Sequence, residues 1–246
     1  MPETLTLTGE RTLPGIAVEN YWFRRHEAAY EMIAPWCRGA VVLEAGCGEG
    51  YGAERLADSA HRVVGVDYDE AAVGHVAASY PRIDAVRANL ARLPLRPGAA
   101  DVVVSLQVIE HLWDQAEFLA DAVRVLRPAG SLIISTPNRL TFSPAGAPVN
   151  PFHTRELAPA ELADLLAGAG CTVTRLLGLR HGRRLRRLDR RHGGSFTATQ
   201  LGGPPDTWSA RLRHDVATVR AADFVVTDRD VDSSLDLIAI AVATPH

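Results

Sequence analysis

Lysine is absent from this chain of 246 residues, and all 26 of its basic residues are arginine. The simplest reading of that bias is genome-wide codon composition, not substrate chemistry. Cysteine is scarce as well. Cys37, Cys47 and Cys171 are odd in number, widely spaced and form no CxxC pair. That argues against a disulfide scaffold or a cysteine-rich zinc site and fits a reducing compartment. No apolar run reaches the ~18 residues that a membrane span requires. No basic-then-apolar leader opens the chain either, so the expectation is a soluble, cytoplasmic protein with no membrane partner. Charge of one sign is also missing. With 29 acidic against 26 basic residues the net charge is −3, and no global field draws the chain to nucleic acid.

What is present is ordinary globular material, 47% apolar and 22% charged, enough for one sizeable core. From Ala40 onward β-rich runs alternate with amphipathic stretches, the pattern of a parallel sheet flanked by helices. The runs are Val41–Ala45, Arg62–Asp67, Ile83–Ala88, Asp101–Leu106, Ser131–Ser135, Cys171–Leu177 and Leu235–Ala243. Helices are expected over Tyr51–Ser59, Asp69–Ser79, Asp114–Leu126 and Pro159–Ala169, with Asp69 and Asp114 as N-caps. Residues 1–38 form a separate N-terminal helical segment, in which Asn20 suits the cap of a helix through Glu31. That aromatic-rich helix reads equally as a lid or as a core-packing flap. Residues 39–246 form the main domain, with an insertion at about 180–231 where the rhythm fails. There Arg180–Arg191 holds seven arginines against Asp189, and a further helix fits Asp206–Arg220.

The sharpest signal is VVLEAGCGEGYG, Val41 to Gly52. A strand running into Gly46, Gly48 and Gly50 demands a tight turn and lets a ligand approach the backbone, before a helix offers its free N–H groups. The GxGxG spacing differs from the GxGxxG of dinucleotide-binding proteins, which counts against a nucleotide-cofactor oxidoreductase. The next strand ends at Asp67, a carboxylate that suits ribose hydroxyls, although an acid after a strand also serves as a helix cap.

Together these residues closely resemble the class I S-adenosylmethionine (SAM)-dependent methyltransferases over roughly Gly39 to Gly178. The first family motif, E/DxGxGxG, stands here as Glu44-Ala45-Gly46-Cys47-Gly48-Glu49-Gly50. The resemblance implies a Rossmann-like, seven-stranded, mainly parallel sheet. It also implies that Glu44 contacts the methionine part of SAM, with the loop of Gly46, Cys47, Gly48 and Gly50 wrapped around that part. Asp67 would hold the ribose, Tyr68 would lie against the adenine, and Asn89-Leu90 would read the adenine edge. The stretch GERTLPG, Gly9 to Gly15, resembles a preamble of some bacterial members. There an aromatic helix closes over the cofactor, which assigns His26 and Tyr30 to it.

Methyl transfer from a sulfonium is an in-line displacement, so the protein must align the acceptor and remove its proton. Past the fourth strand come Gln107, Glu110 and His111, which share one face if the segment is a helical turn. Past the fifth comes His153, delivered by an Asn-Pro loop. Two imidazoles and oxygen ligands can hold a divalent cation. This part is similar to metal-dependent members, the ubiquinone-pathway O-methyltransferases and the small-RNA 3′-terminal 2′-O-methyltransferases, whose pattern is ExxEH. Here Gln107 replaces the first Glu and removes one negative charge, and many metal-free relatives carry an EH pair. Glu110, His111 and His153 are therefore the catalytic and metal-binding candidates, with Mg²⁺ as the helper ion and Gln107 beside the cofactor.

Asp114, Asp121, Glu156 and Glu161 read as caps or solvated faces, and Trp113, Phe152 and Trp208 as core residues or stacking surfaces. The arginine run suits an anion or a solvated helix face. The relatives that carry the preamble point to O-methylation of a small polar acceptor, with a saccharide favoured. A phenol, quinone or polyketide is the alternative, RNA a lesser one, and a SAM-binding protein without catalysis a fourth. The oligomeric state stays open between monomer and dimer.

Overall fold

A computed structural model describes residues 12–144 and 150–244. Its elements in chain order are α1 (Asn20–Cys37), β1 (Val41–Ala45), α2 (Tyr51–Ala57), β2 (Arg62–Asp67), α3 (Glu70–Ser79), β3 (Ile83–Arg87), β4 (Ala100–Leu106), α4 (Gln115–Val125), β5 (Leu126–Pro137) and α5 (Arg139–Phe142). There follow α6 (Pro159–Gly168), β6 (Cys171–His181), α7 (Arg183–Arg191), α8 (Phe196–Leu201), α9 (Ala210–Ala217), β7 (Phe224–Thr227) and β8 (Asp236–Ala243). The strands form one Rossmann-like sheet in the order β3-β2-β1-β4-β5-β8-β6-β7. Strands β3 to β5 pair in parallel, while β8 inserts antiparallel between β5 and β6.

The chain departs from β1 toward β2 and β3, then returns to place β4 on the other side of β1. Such a reversal opens a crevice at the carboxyl ends of the two central strands. Side-chain alternation covers both sheet faces. Along β4, Val102, Val104 and Leu106 join one core and Val103 the other. The first core is closed by α1, α2 and the 183–217 helices, the second by α4 and α6 through Phe118, Leu119, Leu162 and Leu166. Asp69 and Asp114 cap α3 and α4 by accepting from Ala71 N and Glu117 N.

The sheet has one strand more than expected, because β7 lies inside the insertion and pairs antiparallel with an extended β6. This strand is four residues long and flanked by short turns, too brief for its alternation to show. β5 begins before the Pro128 turn rather than after it. Asn20 does not cap α1. Its amide instead donates to the carbonyls of Val216, Ala217 and Val219 at the end of α9, and the helix runs on through Pro35 to Cys37.

α1 is not a loose flap. Tyr21, Ile33 and Cys37 are fully buried beneath it, each large apolar one worth roughly 1.5–3 kcal/mol. Arg25 makes a two-pronged pair with Asp236 of β8 at 2.6 and 2.5 Å, both side chains only 3% exposed. The pair ties α1 to the start of β8, beside the crevice.

Candidate functional site

Two cavities open at the carboxyl ends of the central strands. The larger, about 660 Å³, is lined by Gly46, Cys47, Gly48, Asp67, Tyr68, Asn89, Leu90, Gln107 and His111, with His26 and Tyr30 from α1. The smaller, about 280 Å³, is lined from α1, from the Gln107–His111 segment, from His153, and from Gln200, Leu201, Pro205 and Trp208 of the insertion. Thr12, His26, Gln107 and His111 line both, so the two spaces meet beside His111.

The glycine bend is set by backbone and packing. Gly46 and Gly50 have φ of 86° and 98°, and a Cβ at Gly46 would sit 2.5 Å from Val108 Cγ2. Both a left-handed conformation and a missing side chain are required there. Gly48 N donates to Asp67 Oδ2 at 2.8 Å, and Asp69 N donates to Asp67 Oδ1 at 2.9 Å. Asp67 therefore grips the bend from the adjacent strand tip, while Asp69 does the capping. Each Asp67 oxygen keeps a further lone pair. Asn89 closes its own turn by accepting from Ala91 N, Leu90 is buried and Tyr68 is 72% exposed at the rim.

Glu44 does not reach the cavity wall. It is buried under α1, where Tyr30 Oη donates to its Oε1 at 2.5 Å and its Oε2 has no partner. Burial pushes its pKa up from 4.5 to about 8, helped by Asp67 and opposed by the Tyr30 hydrogen bond. Because the folded-state value is raised, the stability it contributes is present below pH 4.5 and is lost as pH climbs toward 8. Glu44→Gln is expected to flatten that part of the stability curve, where one such group contributes a slope of about 1.4 kcal/mol per pH unit. Denaturant melts of the cofactor-free protein and the variant across this range check it, and parallel curves would rule out a protonated Glu44.

His26 is held neutral, its pKa lowered to about 4 by burial, with Nδ1 2.9 Å from Tyr51 Oη. Thr12 Oγ1 lies 3.1 Å from the same hydroxyl. Sequence reasoning missed Thr12, Tyr51 and Glu49 as lining residues. Glu49 accepts from Tyr80 Oη, His75 Nε2 and Tyr51 N, and its place inside the glycine motif was the available signal. Of the GERTLPG stretch, Gly9, Glu10 and Arg11 lie outside the described residues.

Past β4 the expected helical turn is shorter and displaced. Gln107 has φ of 56° and a 3₁₀ turn starts only at Ile109, so Gln107 does not share a helical face with Glu110 and His111. Its Nε2 donates to Ser135 Oγ at 3.0 Å. Glu110, His111 and His153 do converge, each offering a ligand atom within 4.8 Å of the others. Their other atoms are fixed. Thr136 Oγ1 donates to Glu110 Oε2 at 3.0 Å, His111 Nδ1 donates to Phe152 O at 3.0 Å, and His153 Nδ1 donates to Glu156 Oε1 at 2.7 Å. Carbonyl and carboxylate partners on Nδ1 leave Nε2 as the lone-pair nitrogen of both rings. Asn150 Nδ2 lies 3.1 Å from His153 Nε2, so this nitrogen works only when that amide yields.

Glu156 is thus no solvated acid. It is buried, holds His153 and accepts from Ser143 Oγ at 3.0 Å; its spacing of three from His153 was the missed signal. Asp121 and Glu161 are structural, pairing with Arg124 and Arg139. Trp113, 94% exposed, stands at the larger cavity, whereas Trp208 is buried with Nε1 donating to Gly203 O. In the arginine run, Arg180, Arg184 and Arg191 pair with Asp230, Asp223 and Asp215. Arg183, Arg186, Arg187 and Arg190 face solvent, opposite the buried Leu185 and Leu188.

A methyltransferase-domain family model matches residues 43–134. The chain is 57% identical to a "Probable S-adenosylmethionine-dependent methyltransferase" of Mycolicibacterium smegmatis, covering 98% of this chain and 96% of that one. It is 30% identical to a ubiquinone biosynthesis O-methyltransferase of Aromatoleum aromaticum over 57% of this chain and 68% of the relative. Among solved structures, a SAM-dependent methyltransferase from Mesorhizobium loti superposes with a TM-score of 0.58 at 18% identity, covering 89% of this chain and 97% of that one. No described helix is long and apolar enough to cross a membrane. A glycine bend gripped by Asp67 at the sheet's switch point, in a chain matched almost end to end by such an enzyme, makes this protein a member of the SAM-dependent methyltransferase family.

Proposed function

We propose that the protein methylates a hydroxyl oxygen of a small polar acceptor, a sugar or the end of an oligosaccharide, with a divalent cation assisting. The observation that carries this is the convergence of Glu110, His111 and His153 where the two cavities meet. The larger cavity would take the cofactor, and its volume falls in the ~300–1,000 Å³ range of small-molecule sites. Asp67 would accept the ribose hydroxyls, Tyr68, Asn89 and Leu90 would bound the adenine, and the Gly46–Gly50 bend would hold the methionine part. When bound, SAM supplies a methyl group on a positively charged sulfur.

The chain's own work is then to aim an oxygen lone pair along the sulfur–methyl axis and to accept the hydroxyl proton. His153 Nε2 can take that proton or ligate a cation, but not both at once. A cation at this cluster would lower the pKa of a ligated hydroxyl. Two imidazole nitrogens and one carboxylate suit Mn²⁺, Co²⁺ or Zn²⁺ better than the oxygen-seeking Mg²⁺ expected from sequence.

A phenol is the second reading, favoured by the Aromatoleum relative and by the aromatic Trp22, Phe142 and Trp208 in the smaller cavity. The deciding experiment is a screen with methyl-labelled SAM over sugars, phenols and RNA oligomers, before and after EDTA dialysis. The expected result is label on a sugar, lost on dialysis and restored by Mn²⁺. Label on phenols alone would replace the saccharide, and EDTA-resistant turnover would remove the cation.

A further inference from the structure

Among the described residues, two side chains on the smaller cavity, Gln200 and Glu19, carry acceptors that the protein leaves unused. Gln200, at 3% exposure, is contributed by α8 of the insertion. Its Nε2 donates to Phe196 O at 3.1 Å, which fixes the amide's orientation, because the opposite one would set two oxygens against each other. Its Oε1 is left buried without a partner. A buried acceptor left in that state costs about 1–3 kcal/mol, a cost that a ligand donor would relieve. Glu19, at the head of α1, lines the same cavity. Among the described residues its half-buried carboxylate has no partner, and burial raises its pKa.

Among the described residues, the one guanidinium on this wall, that of Arg25, is already balanced by Asp236. An anion arriving beside Gln200 and Glu19 would therefore meet an amide oxygen and a carboxylate. Trp22, Phe142 and Trp208 supply flat apolar faces beside them.

Resting on the proposed function, we infer that Gln200 and Glu19 are specificity-determining residues that accept hydrogen bonds from hydroxyls of a neutral, ring-sized acceptor. They exclude its carboxylated and phosphorylated counterparts. About 280 Å³ admits one such ring. The insertion, which bears Gln200, and the N-terminal helix, which follows Glu19, close the acceptor side from opposite ends of the chain.

The test uses the full chain with labelled SAM and matched probes: methyl glucoside, mannoside and galactoside, their uronic acids and 6-phosphates, and catechol with 2,3-dihydroxybenzoate. Neutral members are expected to exceed their acidic partners at least tenfold in kcat/KM. Gln200→Leu should raise KM for the neutral probe about tenfold, the worth of one hydrogen bond, with kcat and S-adenosylhomocysteine affinity held. Glu19→Gln should shrink the discrimination against the acids. A preference for uronides or phosphates overturns the inference, as does a Gln200→Leu protein with unchanged KM or with weakened S-adenosylhomocysteine binding, which would mark a structural role. If only catechols are methylated, the saccharide reading falls while the catechol pair still judges Gln200 and Glu19. If nothing is turned over, calorimetry of the same probes against the S-adenosylhomocysteine complex decides, and absence of binding overturns the inference.

Discussion

Asp67→Ala is expected to weaken SAM and S-adenosylhomocysteine binding by about two to three orders of magnitude. Two contributions add. On the proposed reading, the ribose loses hydrogen bonds to a charged acceptor, worth about 1.5–3 kcal/mol each. The bend also loses its clasp, because Gly48 N and Asp69 N both donate to this carboxylate. A loop released in this way must be reordered when the ligand binds, and that ordering is subtracted from affinity. Asp67→Asn separates the two contributions, since the amide oxygen can still accept from one N–H while the charge is gone. Its affinity is expected to fall between those of the wild type and the alanine variant. Calorimetry with S-adenosylhomocysteine reads both, and a wild-type Kd for Asp67→Ala would remove the ribose assignment.

The parts of this molecule that are legible in sequence are those in which local pattern and tertiary role coincide. β1, β2 and β4 are short valine-rich runs, the first leading into Gly46 and the second ending at Asp67, and their register puts Ala45 against Val66 and Glu44 against Val104. Gly46, Asp67 and His111 therefore fall at one edge of the sheet. Groups that act through distant partners are illegible. Glu156 looks like a helix-flanking acid until the fold buries it against His153. Asn20 looks like a cap until α9, some 196 residues away, presents its carbonyls. Gln107 departs from expectation for a different reason. Its spacing suggests a helical face, but this residue takes a left-handed conformation, because its backbone N–H is drawn to Ser135 O at 2.8 Å on the neighbouring strand. Glu44 carries the family's motif, yet it lies one layer beneath the cavity, capped by a tyrosine from a helix that composition alone leaves as lid or flap.

His153→Ala is expected to lower turnover by about 10²–10⁴-fold, the usual worth of a positioned proton acceptor, while S-adenosylhomocysteine affinity stays at the wild-type value. The separation follows from placement: His153 lines the smaller cavity and not the larger one. Glu156→Gln sharpens the test. In the wild type the carboxylate can only accept, so His153 must carry its proton on Nδ1 and present Nε2 on the side of the smaller cavity. An amide in its place can accept or donate, and in the donating orientation it would reverse the tautomer and turn an N–H toward the reaction centre. A fall of about 10–100-fold is expected, the scale on which partners of ligating imidazoles act, together with a matching loss of Mn²⁺ affinity if the ring ligates a cation. Turnover that falls without any change in Mn²⁺ binding assigns His153 to proton removal alone. Wild-type turnover in Glu156→Gln would show that the orientation of this ring is immaterial and would move the chemistry to Glu110 and His111.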